Sequence, residues 1–394
     1  MKVKNKLLKG FIKIVDNPKT NQCLIPVVSV FMSMVIVIIM LLCLGKNPLS
    51  TLGNFLQGCG LLPKKSYAGG KGMLTDFTSF LDIMSPMLMA CLGVVIAQRA
   101  GLLNIGISGQ MVASGFVASV VVGYSSLNPW LAKPLALLCG MAAGSVIGAC
   151  IGFLKRRFNI HEVISAVMFN WIVNYTVAFF IKTYFADPVT RSSRVISSAS
   201  RLTLTDVPIG GLKVNLPLGF VLAIISVFLV RFVLKRTTMG YEFEAVGRNA
   251  QCARYAGINV GKNTITAMTL SGMMAGAAGV MYFMGYYNTI TPNSLPDMGF
   301  DSIAVALLGN NNPVGCIFAA AFITIFQKGS VYMSSAANVT QEIAAIITGL
   351  LLLFSACGAY LNDNLKTLSQ RYHTQNEKRN EKTNLDETGE RSVN

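Results

Sequence analysis

Apolar runs of membrane-crossing length, recurring along almost the whole chain, constrain this fold more than any motif does. A helix needs roughly 20 apolar residues to cross a bilayer, and several runs approach or exceed that length. They fall near residues 24–44, 83–97, 103–123, 132–154, 163–184, 218–234, 264–285, 314–328 and 343–361, with a shorter piece at Phe300–Leu308. With 53% hydrophobic and 13% charged residues over 394 positions, the composition is not that of a soluble protein. Strands of a membrane barrel would alternate in polarity, and no long stretch here does. The expected fold class is an all-α polytopic membrane protein with about ten transmembrane helices.

The formal charge of +16 sits in termini and loops beside these runs. Membrane orientation and anionic headgroups account for it there, so the expected partner is a lipid bilayer and no nucleic acid. The N-terminus holds Lys2, Lys4, Lys6, Lys9, Lys13 and Lys19 against Asp16. Basic loops stay on the cytoplasmic side, which assigns 98–101, 155–161 and 235–262 to the cell interior. Ten crossings then leave both termini cytoplasmic in a multi-pass protein of the cell membrane. Lys64, Lys65, Arg191 and Arg194 fall on the external side against this bias. The organisation expected is a cytoplasmic segment at 1–22, a transmembrane domain at 23–361, and a polar cytoplasmic tail at 362–394 with the composition of disorder. Residues 46–76 read as an irregular external loop, and 186–217 as an external stretch long enough for a short surface helix.

Glycine spacing adds packing detail. Gly140, Gly144, Gly148 and Gly152 line one helix face and permit close approach of another helix, as do Gly272 and Gly276. Between 292 and 315, Gly299, Gly309, Pro313 and Gly315 interrupt two short apolar pieces. That pattern predicts a broken helix, tolerated at membrane depth where it is buried in protein or lines a cavity.

Chemistry-bearing motifs are scarce. Nine cysteines lie scattered, mostly in apolar runs, and His161 and His373 stand alone, so neither metal nor cofactor is expected. The nearest approach to a phosphate-cradling loop, Ala256 to Asn263, contains Gly261-Lys262 but fails at both ends. The chain is therefore expected to be no enzyme and to bind no ATP itself. Substrate-path candidates are Asn170, Trp171, Asn174, Tyr175 and Asp301. The two amides lie one turn apart on one helix face, beside the two aromatics. Amides there serve equally for helix–helix bonding or for substrate contact. Asp301 fits either a helix N-terminal charge or a functional carboxylate; with Asp82, Glu162 and Glu342 it is what an ion-coupled secondary transporter would have to use.

The polar interval Arg236–Lys262, RTTMGYEFEAVGRNAQCARYAGINVGK, lies between two apolar runs and has internal structure of its own. Gly240, Gly247 and Gly257 punctuate two short segments, and AQCARYA has the composition of a short helix. Gly240, Ala245, Gly247, Asn249, the run Ala253-Arg254-Tyr255-Ala256-Gly257 and Ile258 resemble the coupling loop of ATP-binding-cassette importer permeases. The branch is the one that includes the branched-chain amino acid, ribose and nucleoside systems. AQRAGLLNIGISGQM (97–111), HEVISAVMFNWI (161–172) and GFDSIAVALLGNNNPVG (299–315) look most like its nucleoside and simple-sugar members. Where such proteins often carry Glu before the Gly-Gln of the first motif, this chain has Ser108. The resemblance implies a permease subunit that translocates nucleosides, or alternatively ribose or another simple sugar. It also implies that Gly240, Ala245, Gly247, Asn249, Ala253, Arg254 and Gly257 dock an ATPase. The implied partners are two cytoplasmic ATPase subunits, a second permease subunit (related or identical) and an external substrate-binding lipoprotein.

Overall fold

The computed structural model describes residues 31–337, apart from positions 33, 44, 65, 68–70, 126 and 210–211, together with a few positions beyond. The expected segment 1–22, the start of the first span, almost all of the last span at 343–361 and nearly all of the tail at 362–394 lie outside the described residues. The elements in chain order are α1 (Met34–Cys43), α2 (Pro48–Gly58), α3 (Met73–Arg99), α4 (Ile107–Ala118), α5 (Pro129–Phe158) and α6 (Glu162–Phe180). Then come a two-stranded hairpin, β1 (Thr203–Ile209) and β2 (Leu212–Pro217), and α7 (Leu218–Arg236). The remainder is α8 (Thr238–Arg248), α9 (Ala250–Tyr255), α10 (Val260–Met281), α11 (Met298–Leu308) and α12 (Pro313–Ala337). Among the described residues, α3, α5, α6, α7, α10 and α12 are long and apolar enough to cross a membrane.

Helix α3 is the centre of the bundle. It is apolar on every side, so it can sit only where every side is covered, and Ile83 to Ala97 is buried throughout. Helices α7, α10, α11 and α12 all pack on it. Helix α10 makes its broadest contact with α5, where the glycine face at 140–152 meets the one at 272–276. A side chain at Gly144 would run into the Gly272 carbonyl, and one at Gly272 into the Gly144 carbonyl. The close approach therefore depends on glycine on both helices.

The crossings point in alternate directions. The Arg99 end of α3 lies beside the α8 segment, where Gly101 faces Gly247. Arg156 of α5 reaches Gly261 at the start of α10, at that same end. The hairpin lies at the opposite end, where the Thr203 hydroxyl donates to Asp82 Oδ1 at 2.8 Å and Leu202 N donates to Met284 O. The broken region is as expected: a non-helical stretch from 287 to 297 leads into the 11-residue α11, then a tight turn into α12. Two expectations need correction. Residues 46–76 are not wholly irregular, because Asn47 caps α2 by accepting from Leu49 N, and Pro48 starts it. Phe55 and Gly58 of α2 seat on Gly329 of α12. Within 186–217 the described residues hold the strand pair β1–β2 and no helix. The run TLTDVPI is rich in β-branched residues, LKVNLP alternates Leu, Val and Leu with polar residues, and the intervening Gly210-Gly211 is a hairpin-turn signal in the sequence.

Candidate functional site

The three motifs outside the long loop converge on one junction. After α3 the chain does not leave the protein: Leu102, Asn104 and Gly106 are buried in a non-helical entry to α4. Irregular backbone at such depth needs internal partners, and Asn104 supplies them. Its Nδ2 donates to Ser271 Oγ at 2.8 Å and to Gln110 Oε1 at 3.0 Å, while its Oδ1 accepts from Gly106 N. Asn170, from the second motif, ties the same segment to α6. Its Oδ1 accepts from Gly109 N at 2.9 Å and its Nδ2 donates to the Ile105 carbonyl at 3.0 Å. The third motif arrives at Ser108, whose hydroxyl donates to Pro296 O at 2.9 Å and whose backbone leaves room only for glycine at 299.

The substrate-path candidates are thus not gathered at one place. Asn170 spends both amide atoms on backbone groups. Asn174 is buried one turn further along α6. Trp171 and Tyr175 stack on each other with ring centroids 5.9 Å apart, on the exposed side of that helix. Asp301 alone lines a cavity.

That cavity, of about 750 Å³, opens at the end away from the long loop, between the start of α3, the end of α10 and the helices α11 and α12. Tyr282, Tyr286 and Tyr287 form its aromatic wall. Helix α10 ends in a π-helical turn over Tyr282–Tyr286, and Tyr287 N donates five residues back to Tyr282 O. This wider turn brings Tyr287 over Tyr282, with centroids 4.9 Å apart, and Tyr286 meets Tyr287 edge-on at 4.7 Å. π-turns often mark functional positions. Opposite them Gln327 Nε2 donates to Asp301 Oδ2, so one carboxylate oxygen is engaged and the wall keeps acceptors toward the cavity. At the rim, Lys64 pairs with Asp76 at 2.7 Å and lies over the Tyr332 ring, and Lys328 donates to the Asp76 carbonyl at 2.9 Å. Sequence reasoning missed the tyrosines and Gln327-Lys328. A Gln-Lys pair inside an otherwise apolar run was the signal available.

In the interval 236–262, AQCARYA forms a short helix that Gly257 ends, whereas Gly240 and Gly247 lie inside α8 and the break between the two helices falls at Asn249. Thr237 caps α8, accepting from Gly240 N, and a side chain at Gly240 would strike the Val233 and Leu234 carbonyls. Asn249 breaks α8 from α9 and caps the latter, its Oδ1 accepting from Gln251 N and Cys252 N. At the other end Gly257 takes φ +82°. Ile258 N donates to Ala253 O and Gly257 N to Arg254 O, closing α9 with a left-handed cap. Ala245 accepts from Asn249 N across the same break. Gly247 lies against the Arg99 carbonyl and Gly101, fixing α8 to the end of α3. Ala253 is buried, whereas Arg254 is exposed and Tyr255 is 94% exposed.

A bundle of alternating crossings, a helix broken at depth beside a large cavity, and a capped two-helix loop at the opposite end define a membrane permease. The family model described as branched-chain amino acid transport system / permease component matches residues 77–356, and the chain belongs to that family. It is the permease component of an ATP-binding-cassette importer. Among its relatives, the nucleoside ABC transporter permease protein NupB of Lactococcus lactis subsp. cremoris is 29% identical over 354 residues, covering 86% of this chain and 92% of that one. The guanosine ABC transporter permease protein NupP of Bacillus subtilis is 34% identical over 280 residues, covering 69% and 78%. The glucose ABC transporter permease protein TsgB13 of Haloferax volcanii is 25% identical over 276 residues, covering 68% and 73%. The first two organisms each hold a second relative with the same named substrate, NupC at 25% and NupQ at 26% identity.

Proposed function

We propose that the chain carries nucleosides, and that the tyrosine-walled cavity receives them on the external side. The observation that carries this reading is the similarity to NupB over 92% of that protein's length. The cavity is compatible with it. A nucleoside is neutral, with a flat base and a hydroxylated sugar, and meets aromatic faces at Tyr282, Tyr286 and Tyr287 and hydrogen-bonding groups at Asp301 and Gln327. The cavity's volume of about 750 Å³ lies within the usual range for small-molecule sites. In this reading Asp301 meets substrate, Asn170 holds the junction, and Trp171 and Tyr175 face lipid or a second permease.

The loop 236–262 then faces the cytoplasm and docks one of two ATPase subunits, which hydrolyse ATP on the permease's behalf. Arg254 and Tyr255 supply the docking face, and Gly247 passes displacement to α3. The occurrence of paired relatives under one substrate name favours a related, non-identical second permease. An external lipoprotein delivers substrate to the cavity. Uptake of labelled guanosine or adenosine by cells with and without this chain tests the substrate. Loss of uptake on deletion, with competition by other nucleosides and none by ribose, glucose or galactose, is expected. Loss of sugar uptake with nucleoside uptake intact would move the chain to the sugar branch.

A further inference from the structure

Where α7 ends, two adjoining cavities of about 290 Å³ each flank its last turns. They share Arg231 and Lys235. The first carries three cations, being lined also by Arg99, Thr237, Tyr241 and Glu244, with Leu234 and Pro313 as its apolar part. The second is walled by Phe228 and Phe232, both exposed on the outer surface of the bundle, with Arg236 beside Lys235 at its end. One face of α7 thus presents a cationic recess that continues into an aromatic groove running along the membrane-crossing part of the helix.

The charges of this recess are not balanced from within. Glu244 is its one carboxylate among the described lining residues, and it is already paired with Arg248 at 2.7 Å. Arg231 and Lys235 form no ion pair among the described residues. Arg99 donates from Nη2 to the Asn311 carbonyl at 3.1 Å, while its Nε is buried with no acceptor. A buried guanidinium N–H without a partner is costly, and Arg99 lines the same recess. Guanidinium groups match phosphate oxygens in a two-pronged geometry, and Lys adds a point charge. Basic pockets between membrane helices hold anionic headgroups by this chemistry. The aromatic groove alongside accounts for an acyl chain and has no counterpart in the needs of a free anion.

We propose that Arg99, Arg231 and Lys235 hold the phosphodiester of an anionic phospholipid, with an acyl chain lying on Phe228 and Phe232. The site adjoins α8, so an occupied recess would brace α7 against the loop segment that begins at Thr237. It is independent of which substrate the cavity at the other end takes.

Native mass spectrometry of the complete importer, loaded with phosphatidylglycerol or phosphatidylcholine in mild detergent, tests it. Wild-type complex should retain phosphatidylglycerol over phosphatidylcholine, and Arg231→Gln with Lys235→Gln should cut that preference by roughly tenfold or more. The charge-preserving pair Arg231→Lys with Lys235→Arg should keep most of it. Equal retention of the two lipids by the wild type overturns the proposal without recourse to any variant. Displacement of phosphatidylglycerol by millimolar inorganic phosphate would make the recess a free-anion site and overturn it as well. So would retention by the isolated permease that vanishes in the complete complex, since a protein partner would then fill the recess.

Discussion

At the scale of single residues, burial decides which side chains can act outward and which are spent inward. Asn170 is the clearest case: both its amide atoms meet backbone groups of the α4 entry. Asn170→Ala would leave Gly109 N–H and the Ile105 carbonyl without those partners in a water-poor site, at a cost of about 1–3 kcal/mol. A lowered unfolding midpoint in detergent is expected, whereas Trp171→Ala on the exposed side should leave that midpoint nearly unchanged. An Asn170→Ala midpoint equal to wild type would refute the structural role. The cysteines divide the same way. Cys252 is exposed, while Cys59 is buried, donates to the Ile325 carbonyl at 3.3 Å, and has its thiol pushed up to about 12 by burial. The thiolate is the reacting form, so a maleimide at neutral pH should label Cys252 in the folded protein and reach Cys59 only after denaturation. Labelling of native Cys59 would contradict the seating of α2 on α12. None of this division was legible in sequence. An amide in an apolar run looks the same whether it faces a backbone, a substrate or a neighbouring helix.

Elements were more readable where period and glycine spacing carried the information. The glycine spacing at 140–152 and at 272–276 marks two separate close-approach surfaces, and they pack against each other. Gly144→Val should therefore force α5 from α10, costing about 1–3 kcal/mol or more because the obstruction is backbone that cannot rotate away. Loss of monodisperse protein in detergent would report it, while Ala143→Val, next to it on a less buried part of α5, should be tolerated. The broken helix near 292–315 was equally legible, since glycine and proline interrupt it. The hairpin at 203–217 was not anticipated. It is a short polar-flanked pair whose stability comes from leaning on α3, and that support is invisible to a local reading. The π-turn at Tyr282–Tyr286 was missed for a related reason. Nothing in the run MYFMGYYN distinguishes a wider turn from an ordinary one, yet that turn is what assembles the three-tyrosine wall.

At the scale of the whole molecule, the two ends of the bundle are joined by α3 and by the α11–α12 pair. The rim residue Asp76 lies near the N-terminal end of α3, and Arg99, at its other end, bonds the Asn311 carbonyl in the turn between α11 and α12. Gly247 rests on that same end of α3. A load applied to α8 and α9 therefore has a packed route toward the cavity, through helices that also carry Asp301 and Gln327. The prediction at this scale separates docking from loop integrity. Ala253 is buried where α9 seats on α8, so Ala253→Glu should disrupt the loop itself and lower stability along with transport. Tyr255→Ala and Arg254→Glu alter only exposed groups and should leave insertion and unfolding midpoint intact. If α9 is the docking face, both should reduce co-purification of the ATPase and substrate uptake together, by roughly tenfold for a central aromatic anchor. Retained ATPase with normal uptake in both variants would place the docking face elsewhere. Retained ATPase with lost uptake would instead show that α9 transmits movement without supplying the affinity, leaving attachment to α8 and the basic end of α5.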